Sequence, residues 1–195
     1  MNPGPDTNDM SDMNHVDGEE LGRLEHIGER SDLRYTRHLA QPPAKVWRAL
    51  TEEKELAGWF PTTIDGERVS GARLQYDFPD YLGVPAMEGE MLAFEPTSLM
   101  ELNWGGDIVR FELASEGEGS VLELIVTFTE HGKGARDGAG WHVCLRNLAR
   151  VVDGAELPVD DGSEWRQVHP KYVASLGPEA STLGPPEEWE QARRT

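Results

Sequence analysis

The chain has 195 residues, of which 36 are acidic and 18 basic, and 37% are hydrophobic, giving a formal net charge of −18. This length supports one domain with tails and a sizeable core. So acidic a surface repels phosphate backbones and anionic lipid heads, which argues against nucleic acid or a membrane as partner.

Met1 to about Glu20 is rich in Asp, Asn, Gly and Pro and poor in large apolar residues, so residues 1–20 are expected to be a disordered acidic tail. It has neither the basic start nor the apolar run of a secretory signal. Leu24 and Ile27 precede a turn signal at Gly28-Glu29, and Leu33, Tyr35 and Leu39 follow it, which predicts a hairpin whose second strand is Asp32 to Leu39. Pro42-Pro43 ends that strand and starts a short helix with Val46, Trp47 and Leu50 on one face. A second short helix from Thr51 carries Leu56 and ends near Gly58-Trp59-Phe60-Pro61.

Strict alternation then marks a run of strands. Ala72, Leu74, Tyr76 and Phe78 alternate with polar residues, and Met87 to Phe94 is a second strand. Met100, Leu102 and Trp104, then Val109, Phe111 and Leu113, then Leu122, Leu124, Val126 and Phe128 continue the pattern, with turns at Gly105-Gly106 or Gly106-Asp107 and at Glu116–Gly119. One apolar and one polar face is the pattern of an antiparallel meander wetted on one side.

Asp137 to Gly154 reads as one long amphipathic helix. Trp141, Cys144, Leu145, Leu148 and Val152 form its apolar stripe, Asp137 is its expected N-cap and Gly154 its left-handed C′ residue. His142 falls off the stripe and is assigned to the solvent side. Beyond it, Trp165, Val168, Tyr172 and Leu176 have helical spacing, which Pro170 is expected to kink or split. Pro185-Pro186 is a candidate start for a last short helix containing Trp189.

This order predicts an α+β helix-grip fold: a curved antiparallel sheet wrapped around one long C-terminal helix, with two short helices after the first strands. Residues 21–154 form the domain, and 155–195 a C-terminal extension with short helices. Pro43, Val46-Trp47, Ala49-Leu50-Thr51, Leu56, Trp59-Phe60, Gly89-Glu90, Leu102-Asn103-Trp104, Gly140-Trp141, Leu145 and Leu148 together resemble the START-like SRPBCC superfamily, in the branch of homologues of the heat-shock-protein ATPase activator. The resemblance covers about Leu24 to Gly154. It implies a cavity between helix and sheet that holds an apolar small molecule, without implying a shared reaction.

The residues placed to line such a cavity are Trp59, Phe60, Tyr76, Phe78, Trp104, Phe111, Trp141, Leu145 and Leu148. Trp59 and Phe60 are candidates for its mouth or for a lid on the core. Glu90 is the one candidate for an inward carboxylate, because both registers of Met87 to Phe94 contain apolar residues. No catalytic set is legible. Cys144 and His142 are two apart on a helix and point to different faces, so they form no nucleophile–base pair. The six histidines and single cysteine give no metal spacing, and no nucleotide-binding or nucleophile-elbow motif occurs, so neither cofactor nor metal is expected. One cysteine allows no intrachain disulfide and suits a reducing compartment, and with no long apolar run a cytoplasmic location is expected. The expected function is binding of an apolar or aromatic small molecule. The alternatives are a cavity-based enzyme, cyclase- or hydrolase-like, with Glu90 or His38 as acid or base, and a chaperone-associated interaction module whose protein partner is unknown.

Overall fold

The computed structural model describes residues 15–16, 19–80 and 84–185. Two short strands, β1 (His15–Val16) and β2 (Glu19–Glu20), pair with each other. Then come β3 (Arg23–Ile27), β4 (Arg30–Leu39), the short helices α1 (Pro43–Thr51) and α2 (Glu53–Leu56), and strands β5 (Thr63–Asp65), β6 (Arg73–Asp77), β7 (Met87–Glu95), β8 (Leu99–Trp104), β9 (Asp107–Glu116) and β10 (Gly119–Phe128). A 3-10 turn, His131–Lys133, leads into the long helix α3 (Gly134–Asp153), and α4 (Ser163–Leu176) follows. The main sheet has eight antiparallel strands in the order β3-β4-β10-β9-β8-β7-β6-β5. It is curved and grips α3, as the alternation predicts. Helices α1 and α2 carry the chain from the β4 end of the sheet to β5 at the opposite edge.

Cross-strand partners share a face, so the register defines the rows of the core. One row runs Tyr35, Leu124, Phe111, Met100, Phe94. The next runs Leu33, Val126, Val109, Leu102, Met91. Between Met91 and Ala93 the register shifts at a bulge. The extra residue, Leu92, reverses the alternation, so Met91 and Phe94 belong on the same face although they are an odd number of positions apart. That is why Met87 to Phe94 shows no single apolar phase. On the outer face Arg110 pairs with Glu101 (2.8 Å) and Glu112 (2.5 Å).

Helix α3 begins three residues before the expected Asp137. Asp137 lies in the first turn, where its carboxylate pairs with Arg136 (2.6 Å) and Lys133 (3.5 Å) instead of capping. Gly154 ends the helix in the left-handed region, with φ 71°. Among the described residues no helix is long and apolar enough to cross a membrane.

Both sides of α3 are buried. Helix α4 lies against the side away from the sheet, with Val168 and Tyr172 fully buried. A Cβ at Gly138 would come within 2.6 Å of the Tyr172 ring, so the close approach of the two helices requires a glycine there. Of the two outcomes expected at Pro170, the split does not occur: α4 continues through the proline as one helix. Val168 and Tyr172, on either side of the proline, are anchored against the same surface, which offsets the lost backbone hydrogen bond. At the other end of the interface Arg150 makes two bonds to the Glu164 carboxylate, at 2.7 and 2.9 Å. The candidate helix around Trp189 lies outside the described residues, as does most of the segment expected to be disordered. The end of that segment is ordered, in β2.

The largest correction concerns His142. Expected on the solvent side of α3, it is 0% exposed. Its Nε2 lies 2.9 Å from Glu19 and its Nδ1 lies 3.2 Å from the Tyr172 hydroxyl. An ionised carboxylate only accepts, so we assign the proton to Nε2. Nδ1 then accepts from Tyr172, whose oxygen accepts in turn from the Gly22 amide (2.7 Å). Arg146 also reaches Glu19, at 3.2 Å. The chain Gly22 to Tyr172 to His142 to Glu19 thus ties the N-terminal strand to both helices.

Burial lowers the pKa of His142 and outweighs its bond to Glu19. Burial alone would raise Glu19, but the hydrogen bond from His142 and the charge of Arg146 hold its carboxyl below the ordinary value. Both shifts act with one sign. A neutral buried histidine and a paired carboxylate stabilise the fold at neutral pH, and both contributions are lost on acidification. Thermal unfolding should therefore show stability falling below pH about 6.5 and further through the carboxylate range. His142→Ala should cost about 1–3 kcal/mol at pH 7, because it strands Glu19 and Tyr172. It should also flatten the upper part of the pH profile; a variant as stable as wild type, with an unchanged profile, would refute the tie.

Candidate functional site

Seven of the ten residues placed at the cavity by sequence converge as one aromatic cluster between α3 and one end of the sheet. Trp59 and Phe60 follow α2, whose last turn is continued by bonds from their amides to Leu56. The Trp59 indole N–H donates to the Ala49 carbonyl of α1 (2.7 Å), which fixes the ring over Phe111, with centroids 5.8 Å apart. Phe60 meets the Trp104 and Trp141 rings at 5.2 and 5.8 Å. Tyr76 and Phe78 meet Trp104 from the other side, at 4.7 and 6.0 Å, and Trp141 bridges Trp104 and Phe111 at 6.4 Å each. Most of these contacts are edge-to-face, the arrangement favoured by ring quadrupoles. Trp59 and Phe60 are buried within the cluster and do not stand at an open mouth.

The backbone makes room for this packing at one glycine. The third row of the inner face runs Asp107, Trp104, Gly89, Leu74. The Tyr76 ring lies across Gly89, where any Cβ would collide with it, and its hydroxyl donates to the Asn103 carbonyl (2.8 Å). Leu145 and Leu148 are buried in the same core on α3.

Glu90 does not belong to the site. It is exposed on the outer face between Arg73 and Asn103, because the bulge at Leu92 puts Met87, Gly89 and Met91 on the inner phase. His38 is exposed as well and pairs with Glu116 at 2.6 Å. Neither residue named as an inward acid or base therefore lies within the core.

An ionic group borders the aromatic cluster where α3 begins. Lys133 is buried, bonded to Asp107, 3.5 Å from Asp137, and its ammonium sits 5.2 Å from the Phe128 ring centre. Asp107 is the register partner of Trp104, and Asp137 precedes Trp141 by one helical turn. Burial raises the Asp107 pKa against the opposing effect of Lys133. Among the described residues no group of three or more His, Cys, Asp or Glu side chains is arranged to hold a metal. A cavity of about 190 Å³ lies elsewhere, on the outer side of β3, β4 and β10, lined by Arg23, Glu25, Arg34, Thr36, Glu123 and Ile125 among others. Its walls are largely paired charges.

The indoles differ in one respect that sequence reasoning raised only as a possibility for buried tryptophans. Trp59 and Trp165 donate to backbone carbonyls, of Ala49 and Arg136. Trp104 and Trp141 make no hydrogen bond to protein among the described residues, and neither indole nitrogen is among the buried atoms left without a partner, so both keep contact with solvent.

The family model described as "Activator of Hsp90 ATPase homolog 1-like protein" matches residues 40–153, more than half of the chain. The chain belongs to this family. Its fold is that of the START-like SRPBCC proteins. Among solved structures it is similar to a conserved protein of unknown function from Enterococcus faecalis, at 20% identity and TM-score 0.66, covering 80% of this chain and 90% of that one. It is also similar to CalU16 from Micromonospora echinospora, at 20% identity and TM-score 0.62, covering 82% and 95%. A third is DynU16, described as a putative protein in the dynemicin biosynthetic locus, at 23% identity and TM-score 0.56, covering 63% and 47%. These likenesses show the fold. A comparison with curated proteins finds no match.

Cys144 packs against the core, half-buried. Burial pushes its thiol up to about 12, with a further push from Asp160. Only the thiolate is nucleophilic, so labelling of the native protein by a disulfide reagent at pH 7.5 should be at least about 100-fold slower than that of free cysteine. Cys144→Ala should cost about 1 kcal/mol. Rapid native labelling would contradict this placement and identify an activated thiol.

Proposed function

We propose that the space between α3 and the inner face of the sheet holds a mid-sized apolar or aromatic small molecule. The observation that supports this most directly is the convergence of Trp59, Phe60, Tyr76, Phe78, Trp104, Phe111 and Trp141, two of whose indole N–H groups have no protein acceptor. Neither indole nitrogen is among the buried polar atoms without a partner, so each N–H reaches the surface of the cluster and is available to an incoming acceptor. A ligand site needs a few of them to orient what it holds. The setting of the similar DynU16, a biosynthetic locus, is in keeping with a protein that handles a small molecule. The reading assigns no catalytic residue.

A ligand entering here must part some of the ring contacts. Each is worth about 0.5–1.5 kcal/mol beyond its area. Burying a few hundred Å² of ligand surface returns several kcal/mol at about 25 cal/mol/Å², before association costs. Micromolar affinity is therefore within reach without a charged contact.

An aromatic ligand should quench or shift tryptophan fluorescence, since Trp104 and Trp141 adjoin the site. Trp104→Phe keeps most of the packing and removes one donor. It should weaken binding about 3- to 10-fold, the equivalent of one hydrogen bond, while lowering thermal stability only slightly. If a panel of apolar and aromatic compounds leaves both fluorescence and melting temperature unmoved, the space is solid core and the reading fails.

A further inference from the structure

Two imidazoles and a serine hydroxyl meet where the β3–β4 hairpin touches the start of α3. His26 of β3 is exposed, and its cross-strand partner in β4 is Ser31, which is 3% exposed. His131, half-buried, opens the 3-10 turn that leads into α3. The Nδ1 atoms of both histidines lie 3.2 Å from the Ser31 Oγ. The two rings are 4.2 Å apart between centroids and inclined at 57°. Each of the three residues is held by its own element. The hairpin register sets His26 opposite Ser31, and Ser31 pairs on its other side with Phe128 of β10. The turn is fixed by the Lys133 amide, which donates to the Glu130 carbonyl (3.2 Å), and by the Gly132 carbonyl, which accepts from the Leu183 amide (3.0 Å).

A serine hydroxyl has one proton to give, so it can satisfy only one of two Nδ1 lone pairs. With protons alone the rings must take different tautomers, one accepting from Oγ and the other donating to it. A metal ion lets both rings take the same tautomer, with Nδ1 free to ligate and the proton on Nε2. The spacing suits such an ion. Bonds of about 2.0–2.1 Å at the tetrahedral angle keep neighbouring ligand atoms about 3.3 Å apart, and both Nδ1–Oγ distances are 3.2 Å. Imidazole nitrogen selects zinc, copper or nickel, whereas magnesium and calcium take oxygen ligands. The formal charge of −18 favours any cation near the surface. No third His, Cys, Asp or Glu joins the pair in a metal-holding group among the described residues, which leaves the remaining coordination positions to water.

We propose that His26 and His131 form a two-histidine clip for a divalent ion of the zinc class, bound through both Nδ1 atoms with the Ser31 Oγ as a weaker third ligand. The ion ties the edge strand β3 to the turn that starts α3, and so strengthens the hold of the sheet on the helix at that edge. The site uses none of the residues of the aromatic cluster and is independent of the ligand-binding reading.

The test titrates zinc chloride into the full chain by equilibrium dialysis and follows thermal unfolding in parallel. Saturating zinc should raise the melting temperature by at least about 2 °C, because an ion that binds only the folded arrangement stabilises it. EDTA should reverse the shift, and magnesium or calcium at the same concentration should produce none. His26→Gln and His131→Gln should each lower zinc affinity at least about tenfold. His38→Gln, which alters an exposed histidine paired with Glu116, should leave it unchanged. His26 is exposed, so His26→Gln should melt within about 2 °C of wild type in the absence of metal, and it remains a fair test even where His131→Gln is poorly folded. Absence of any zinc-dependent shift in wild type would overturn the proposal. So would zinc binding that survives His26→Gln, or that is lost in His38→Gln, since the ion would then sit elsewhere on the chain.

Discussion

The structure depends on burying α3 from both sides. A helix gripped by a sheet is ordinarily half-buried, and its far face stays polar because water satisfies it. Here the far face carries His142 and Arg146, and α4 with the end of the N-terminal segment closes over them. Covering an imidazole and a guanidinium is costly unless both are bonded. Glu19, Tyr172 and Glu164 supply those bonds. Small residues make the geometry possible. Gly134, Ala135, Gly138 and Ala139 fill the first turns of α3, and the Tyr35 hydroxyl approaches closely enough to donate to the Gly138 carbonyl at 2.7 Å. The large buried residues of the helix begin only at Trp141, where the aromatic cluster starts. The small-residue turns and the aromatic cluster are thus consecutive parts of one helix, the first holding the helix close to β4 and α4, the second packing on the Trp104 and Phe111 rings of the sheet.

What was legible in the sequence was whatever depends on local period. Alternation in β6, β8, β9 and β10 marks the inner face, Gly105-Gly106 marks a tight hairpin, and Gly154 ends the helix. The aromatic members of the site were legible for the same reason, since each sits on the apolar phase of its own element. Glu90 was ambiguous because a bulge is a change of phase, and a nine-residue strand with one phase change looks apolar in both registers. His142 was placed wrongly because a single helix stripe says which side faces the sheet, not whether the other side is covered. Its carboxylate partner lies in a stretch whose composition suggests disorder, and Arg146, one turn on, reaches that same carboxylate across 127 positions. A signal was present in the stripe Trp165, Val168, Tyr172 and Leu176. A second amphipathic helix must bury its stripe somewhere, and the far side of α3 is the free surface nearest in sequence.

Thr62 illustrates a different limit. Nothing in a Trp-Phe-Pro-Thr-Thr sequence separates the threonine that enters the core from the one that does not. Only the alternation imposed by β5, itself three residues long, turns Thr62 inward and Thr63 outward. A hydroxyl buried this way by its neighbours' register, without a partner, costs the fold stability.

That cost bears on how the cluster is to be understood. If the seven rings existed only to fill the core, replacing Thr62 by valine would retain most of the apolar area and remove one stranded hydroxyl, a change favoured on stability grounds alone. The ion group of Lys133, Asp107 and Asp137 shows that this same end of the fold does satisfy its buried polar atoms when it contains them. The Thr62 hydroxyl is left without such a partner. Edge-to-face contacts are also individually weak, so a cluster held by many of them can open a few at a time, whereas the backbone-anchored Trp59 and Tyr76 stay in place.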